Sequence, residues 1–373
     1  MNLRIESLTS IADIDAGCWN DWLNGYPFLR HEFLSALESS GATCQATGWV
    51  PMHLVAWDDQ RPIAALPLFA KHHSRGEYVF DWGWADAFER AGGDYYPKLL
   101  SAAPFTPATG PRLLGDPRAH PALLAHIDQL IDQGFSSWHC LFPAHQIEGD
   151  DTLRRIGVQY HWHNQGYADF AEFLAPMTSK RRKAIRRERR IVADQGITLE
   201  RIAGECAADA DIEAFYRFYQ NTYAVRGQRG YLNADAFKQM FHGMGDQLCL
   251  VMARMDQQAV GAALLFHDAT TLYGRYWGGH QLDCLHFEAC YYQGIEFAIE
   301  RGLERFDPGA QGEHKIPRGF APTQTQSFHR IGHPGFRAAV AEFLGREQGA
   351  VERWQSDAAA ALPFKIATED AAT

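Results

Sequence analysis

Leu54-Val55-Ala56-Trp57-Asp58-Asp59-Gln60-Arg61-Pro62-Ile63-Ala64-Ala65-Leu66-Pro67-Leu68-Phe69 lines up with Val251-Met252-Ala253-Arg254-Met255-Asp256-Gln257-Gln258-Ala259-Val260-Gly261-Ala262-Ala263-Leu264-Leu265-Phe266. In each copy an apolar run breaks at Asp-Gln, resumes in small and branched residues and ends in Phe. That is the pattern of two adjacent strands joined by a tight turn. Each copy then meets a glycine and an aromatic stretch, Gly76-Glu77-Tyr78-Val79-Phe80-Asp81-Trp82 in the first and Tyr273-Gly274-Arg275-Tyr276-Trp277-Gly278-Gly279 in the second. The repeat predicts a duplicated domain.

Working outward, 373 residues with 46% hydrophobic content are enough for two cores. The expected organisation is an N-terminal domain over 1–165, a C-terminal domain over 166–345, and a helix and tail over 346–373. Apolar spacing predicts helices over 27–40, 121–133, 150–156, 212–223 and 236–240, a long helix through 287–302, and a final helix after Gly335. Strands are expected over 138–142, 158–163, 247–255, 260–267 and 271–277. Residues 76–114 mix Trp and Tyr with Pro and Gly, which predicts an ordered, shaped loop region. The Ala-rich end beyond about residue 356 is expected to fray.

A formal net charge of -10 argues against a general nucleic-acid binder, whose affinity comes from phosphate neutralisation. The first twenty residues carry Arg4, Glu6, Asp13 and Asp15 around no apolar core, and the longest apolar run, 259–266, is far short of a bilayer span. These features predict a soluble cytoplasmic protein. Seven scattered cysteines without a C-x-x-C pair fit reduced thiols. His161-Trp162-His163 lacks two further ligands at suitable spacing, so no metal site is expected.

Two stretches concentrate charge. Thr178 or Ser179 is a candidate N-cap for a helix running through Lys180-Arg181-Arg182-Lys183-Ala184-Ile185-Arg186-Arg187-Glu188-Arg189-Arg190-Ile191-Val192. Ala184, Ile185, Ile191 and Val192 fall on one narrow face, with Lys183, Arg186, Arg187 and Arg190 at i, i+3, i+4 and i+7 on the opposite side. Such a stripe suits an anionic group, the plain alternative being a solvated face. The second stretch, Phe306-Asp307-Pro308-Gly309-Ala310-Gln311-Gly312-Glu313-His314-Lys315-Ile316-Pro317-Arg318-Gly319-Phe320, follows a strand and holds an acid, an imidazole and two cations on stiff backbone. Charges fixed at a strand end are what a catalytic or binding site needs. Trp82, Tyr96 and Trp277, placed on turns by nearby Gly and Pro, are candidate lining residues, although large aromatics mostly fill cores.

The order strand, turn, strand, aromatic stretch, helix, strand resembles the acyltransferase core of the GNAT superfamily, and the tandem arrangement resembles its FemAB-like branch. Residues 173–187 are similar to the basic helix that opens the second Fem domain. Phe105-Thr106-Pro107-Ala108-Thr109-Gly110-Pro111 resembles a phrase of the first domain, with Arg112 after the Pro where the family has an Arg before the Gly. Gly312-Glu313-His314-Lys315 with Gly319-Phe320 is similar to a late phrase of the second. More narrowly, 76–82, Tyr95-Tyr96-Pro97-Lys98-Leu99 and 309–315 resemble the bacterial FemAB-like proteins of peptidoglycan biosynthesis or recognition, usually called GNAT-family N-acetyltransferases.

The resemblance implies an α/β fold of two tandem GNAT-like domains, each a mixed, mostly antiparallel sheet flanked by helices. It implies an N-acyltransferase in which an amine attacks a thioester or ester carbonyl and an oxyanion develops. Lys315 matches the family lysine that stabilises that charge. Lys183, Arg186 and Arg187 match the region that holds anionic groups, with Arg318 a further cation. His314 or Glu313, beside Lys315, is the expected general base, with Glu77 and Asp81 as further carboxylates. Acetyl-coenzyme A is an implied cosubstrate, with no permanently bound cofactor, although the usual pyrophosphate-binding phrase is met only in part by Arg275-Tyr276-Trp277-Gly278-Gly279-His280. An aminoacyl-tRNA donor is the other implied choice, yet no heptad run for a coiled-coil arm is present. The alternative function is a non-catalytic binder of cell-wall fragments or another anionic small molecule.

Overall fold

The computed structural model describes residues 3–310 and 312–365. The strands, in chain order, are β1 (Leu3–Leu8), β2 (Trp49–Pro51), β3 (His53–Asp58), β4 (Arg61–Leu66), β5 (Phe69–Lys71), β6 (Lys98–Ser101), β7 (Leu114–Gly115), β8 (Ser137–Leu141), β9 (Leu153–His163), β10 (Ile197–Ala203), β11 (Leu248–Met255), β12 (Gln258–His267), β13 (Thr271–Gly279), β14 (Arg305–Asp307) and β15 (Ala321–Ile331). The chain forms two compact units. One holds the residues up to Gly157 together with Gly230–Gln247 and Gln324–Glu352; the other holds Val158–Arg229, Leu248–Thr323 and the residues from Arg353 onward. The expected ranges were contiguous, whereas these units interleave: the chain leaves the first within β9, returns to it for Gly230–Gln247, and re-enters it within β15.

In the first unit β1-β3-β4-β7 form one sheet, and β15-β8-β6-β5-β2 neighbour one another in that order. Leu54, Leu66, Leu99 and Trp138 from the strands close over Leu123 and Ile127 of the helix His120–Asp132. The second unit has the order β10-β11-β12-β13-β14-β9. Its core gathers Trp162, Phe173, Val251, Leu265, Tyr292, Phe306 and Phe320. The strands are mostly antiparallel and flanked by helices, as expected.

The duplication is legible in hydrogen-bond register. β3–β4 and β11–β12 are antiparallel hairpins with two-residue loops, and each carries a register shift at the same repeat position, Ala56/Trp57 and Ala253/Arg254. Asp59 (φ 54°) and Asp256 (φ 49°) occupy the left-handed conformation that matches strand twist at such turns. Each unit also has one parallel pair, β6 with β8 and β13 with β14, followed by an antiparallel neighbour, β15 on β8 and β9 on β14.

The copies differ where proline intervenes. Leu264 lies inside the ten-residue β12, but its counterpart Pro67 has no N–H for a ladder, so the first copy breaks into β4 and β5. β4 stays with β3, and β5 pairs β6 through Phe69↔Leu100.

Three local expectations are corrected. Within the stretch read as a loop region, Trp82–Arg90 is a helix that buries Trp84 and Ala85, with Gly83 close enough to its start to cost little. Residues 150–156 are not helical: β9 runs unbroken from Leu153, carried by Ile156, Val158, Tyr160 and Trp162, which suit a strand. The long helix through 287–302 is interrupted, with Leu285–Phe287 and Gln293–Glu300 separated by a π-helical turn over Glu288–Tyr292. The final helix, Pro334–Ala360, continues past the expected point of fraying, and 366–373 lie outside the described residues.

Candidate functional site

β14 pairs with β13 only from Thr271↔Arg305 to Tyr273↔Asp307, although β13 continues to Gly279. Beyond Asp307 the chain leaves the strand direction through Pro308 and Gly309 and enters the short 3-10 helix Glu313–Arg318. Gly312, at φ 114°, makes that entry; a Cβ there would lie 2.1 Å from Cε1 of His314. Asp307 Oδ1 accepts the Gly309 N–H at 2.9 Å and so ties the turn to the strand end. Lys315 is 1% exposed, and its Nζ donates to the carbonyls of Gly309 (2.6 Å) and Pro308 (3.4 Å). Burial pulls its pKa down to about 8, opposed by the negative charge of Asp307. The result is an ammonium fixed on stiff backbone with one N–H left over.

Arg318 ties the same segment to two helices. Its guanidinium donates to Tyr292 Oη (3.0 Å), the His314 carbonyl (2.6 Å) and Glu188 (2.8 Å), and lies 3.5 Å over the Phe287 ring. Tyr292 also donates to Glu188. Its neighbour Tyr291 meets His314 Nε2 at 2.8 Å. Both tyrosines sit in the π-turn, a distortion often found at functional sites. Burial, then Lys315 and Arg318, push the His314 pKa below its ordinary value, and burial takes nearby His286 down to about 4. Trp277 joins this group edge-on to His286, which is 6.1 Å from the His314 ring.

The basic helix, Ser179–Asp194, buries Ile185 and Val192, as its apolar face requires. Its cations divide into two groups. Arg182 bonds the carbonyls of Met177 and Ala175, and Arg189 bridges Glu288 (3.1 Å) and Glu296 (2.6 Å). Lys183, Arg186, Arg187 and Arg190 are exposed and form no ion pair among the described residues. Arg187 and Arg318 are both felt at the Cys284 thiol, whose pKa is nonetheless raised, chiefly by burial. Burial also pushes the Cys290 thiol well up, so neither cysteine is an activated nucleophile.

The other expected residues lie elsewhere. Glu313 is exposed. Trp82 and Tyr96 belong to the first unit: Trp82 begins a helix at 42% exposure, and Tyr96 hydrogen-bonds Ser74 at 2.9 Å. Glu77 and Asp81, the further carboxylates, are buried against Lys98 in that unit, at 2.8 and 2.5 Å. Tyr95 donates to Asp81 at 2.7 Å, and His139 meets His329 at 2.6 Å between their Nδ1 atoms. The site residues missed in sequence are Asp307, Glu188, Tyr291, Tyr292 and His161. His161 is buried, with Nε2 3.1 Å from Gln159 Oε1 and 3.6 Å from Asp307 Oδ1, while His163 is exposed. No group of three or more His, Cys, Asp or Glu that could hold a metal occurs among the described residues.

A family model described as peptidoglycan biosynthesis/recognition, FemAB-like, matches residues 10–366. The chain belongs to the FemAB-like family. Among solved structures it is similar to FemX, at 11% identity and a TM-score of 0.53, covering 89% of this chain and 97% of that one. It is likewise similar to the C-terminal domain of a protein from Agrobacterium fabrum assigned as a lysylphosphatidylglycerol synthetase (11%, 0.54, 89% and 95%). A conserved protein from Bacteroides thetaiotaomicron gives 12%, 0.52, 87% and 99%. At these identities the likeness is one of fold. No curated protein sequence matches. No helix among the described residues is long and apolar enough to cross a membrane.

Proposed function

We propose that this FemAB-like chain is an acyltransferase that moves an acyl group, aminoacyl or acetyl, from an ester or thioester onto an amine linked to peptidoglycan precursors. The observation that carries the reading is the Lys315 ammonium, buried in the 3-10 helix that follows β14 and oriented by two carbonyls. As the amine attacks, the carbonyl oxygen becomes an oxyanion, and a preorganised cation in a water-poor setting stabilises that charge far more than water does. Lys183, Arg186 and Arg187, exposed on one helix face, supply cations for a phosphate or other anion of the donor or acceptor. Arg318, by contrast, is engaged with Glu188 and Tyr292 and acts by holding the Lys315 segment in place.

The test is transfer of label from acetyl-coenzyme A or from aminoacyl-tRNA to an amine panel that includes lysine-containing muropeptides. Transfer should occur with one donor and be lost in Lys315→Ala. Full activity of Lys315→Ala would remove the mechanism. A second reading, a non-catalytic binder of cell-wall fragments, draws on the word recognition in the family description. Calorimetry with each donor and with muropeptides separates the two, since a binder takes up muropeptide and neither donor.

A further inference from the structure

We propose that His161 is the proton acceptor of the transfer reaction and that Asp307 is the positioning residue that sets its tautomer. This rests on the acyl-transfer reading of the Lys315 site. Across β9 and β14, His163 pairs with Arg305 and Trp162 with Phe306. Continuing that register puts His161 opposite Asp307, on the same sheet face by the two-residue period. The side chains meet there, with His161 Nε2 3.6 Å from Asp307 Oδ1 and 3.1 Å from Gln159 Oε1. Nε2 thus faces two side-chain oxygens, and we accordingly assign the ring proton to Nε2 and the lone pair to Nδ1.

That Nδ1 is buried and has no hydrogen-bond partner among the described residues. Buried polar atoms are nearly always paired, so an orphaned acceptor beside fixed charges marks a place for a donor. The N–H of an attacking amine is such a donor. His314, the base expected from sequence, has its Nε2 engaged with Tyr291. The negative charge of Asp307 also acts on Lys315, so one carboxylate influences both the base and the oxyanion-stabilising cation. Burial lowers the His161 pKa; Asp307 opposes this, and Arg305, His163 and Lys315 add to it. The ring is therefore neutral at pH 7, the form a base requires.

The step balances within the two substrates. The amine nitrogen bonds to the carbonyl carbon while its proton passes to Nδ1. On collapse of the tetrahedral intermediate, the bond from carbon to the donor oxygen or sulfur breaks, and the proton held by His161 goes to that leaving atom.

The experiment uses the full chain and whichever donor the wild type accepts, acetyl-coenzyme A or aminoacyl-tRNA. His161→Gln and His161→Ala should lower kcat about 10²–10⁴-fold with KM little changed, the usual size of a lost general base. Added imidazole should restore part of the rate in His161→Ala. Asp307→Asn should lower kcat and shift the acidic limb of the pH profile. A His161→Gln enzyme with wild-type kcat, or an unmoved acidic limb in Asp307→Asn, would overturn the assignment. Lys315→Ala separates the two levels. If it is inactive while His161→Gln is active, only the base is wrong; if it is fully active, the acyl-transfer reading itself fails. Should the histidine variants not fold, or neither donor serve, nitrogen NMR of the wild-type imidazole decides, because a proton on Nδ1 instead of Nε2 sinks the proposal.

Discussion

Replacing Lys98 by methionine removes the cation from a closed set of buried charges. The Lys98 ammonium, fully buried, contacts Glu77 at 2.8 Å, Asp81 at 2.5 Å and Ser74 at 2.8 Å. Burial alone would raise the Asp81 pKa, but Lys98, and after it His139, hold it far below the usual carboxylate range. Methionine fills similar volume and leaves the two carboxylates without that ammonium, with Lys71 3.9 Å from Glu77. Stripping one partner from a buried pair costs about 3–5 kcal/mol. For a unit of about 200 residues that is a fall in Tm of roughly 6–20 °C.

The pH dependence gives a sharper test. In the wild type the depressed Asp81 contributes stability above its unfolded pKa and loses it as pH falls through the folded one. In Lys98→Met the same carboxyl, buried without its cation, has a raised pKa, so its contribution is present at low pH and lost as pH rises. The deficit should thus be greatest near neutrality and shrink toward pH 4. Urea denaturation at several pH values measures it, and hydrogen exchange of β6 and β8 amides localises it. A loss below about 1 kcal/mol at pH 7, or one independent of pH, would refute the reasoning. Adding Glu77→Gln and Asp81→Asn should recover part of the stability.

Other perturbations address the second unit. If the Lys315 ammonium must be charged, transfer should fall as pH rises through about 8; in Lys315→Arg, which keeps its charge, that basic limb should move upward. Charge reversal of Lys183, Arg186 and Arg187 together should weaken inorganic pyrophosphate binding and flatten its salt dependence, leaving the circular dichroism spectrum and Tm unchanged. Gly312→Ala forces a Cβ against His314 at φ 114° and should cost about 1–3 kcal/mol by thermal melting, as strained backbone does.

The fold was legible because duplication repeats its signals. Asp-Gln between two apolar runs marks a hairpin, and both hairpins fall where the pattern puts them. Proline's missing N–H was equally visible at Pro67, but which sheet receives each fragment depends on long-range pairing that no local window contains. For the site, charge density singles out the stretch holding Glu313, His314, Lys315 and Arg318, and the family resemblance singles out Lys315 within it. Asp307 and His161 lie 146 positions apart in separate stretches, and the β9–β14 register brings them together, a pairing that no local window of sequence contains. Tyr291 and Tyr292 read as two residues of an amphipathic helix, a pattern that carries no trace of a π-turn. Glu188 was hidden among cations, and its partner Arg318 lies on another element.

The widened turn at Glu288–Tyr292 amounts to one surplus residue in a helix. Delete it, and everything downstream rotates by roughly 100° per residue about the axis, so that the tyrosines would no longer straddle the imidazole and the guanidinium. A single-codon deletion in this segment should therefore leave a well-formed helix that has lost its grip on the lysine-bearing turn. The same arithmetic means that such a linkage can arise in one insertion, without any change to the residues it comes to connect.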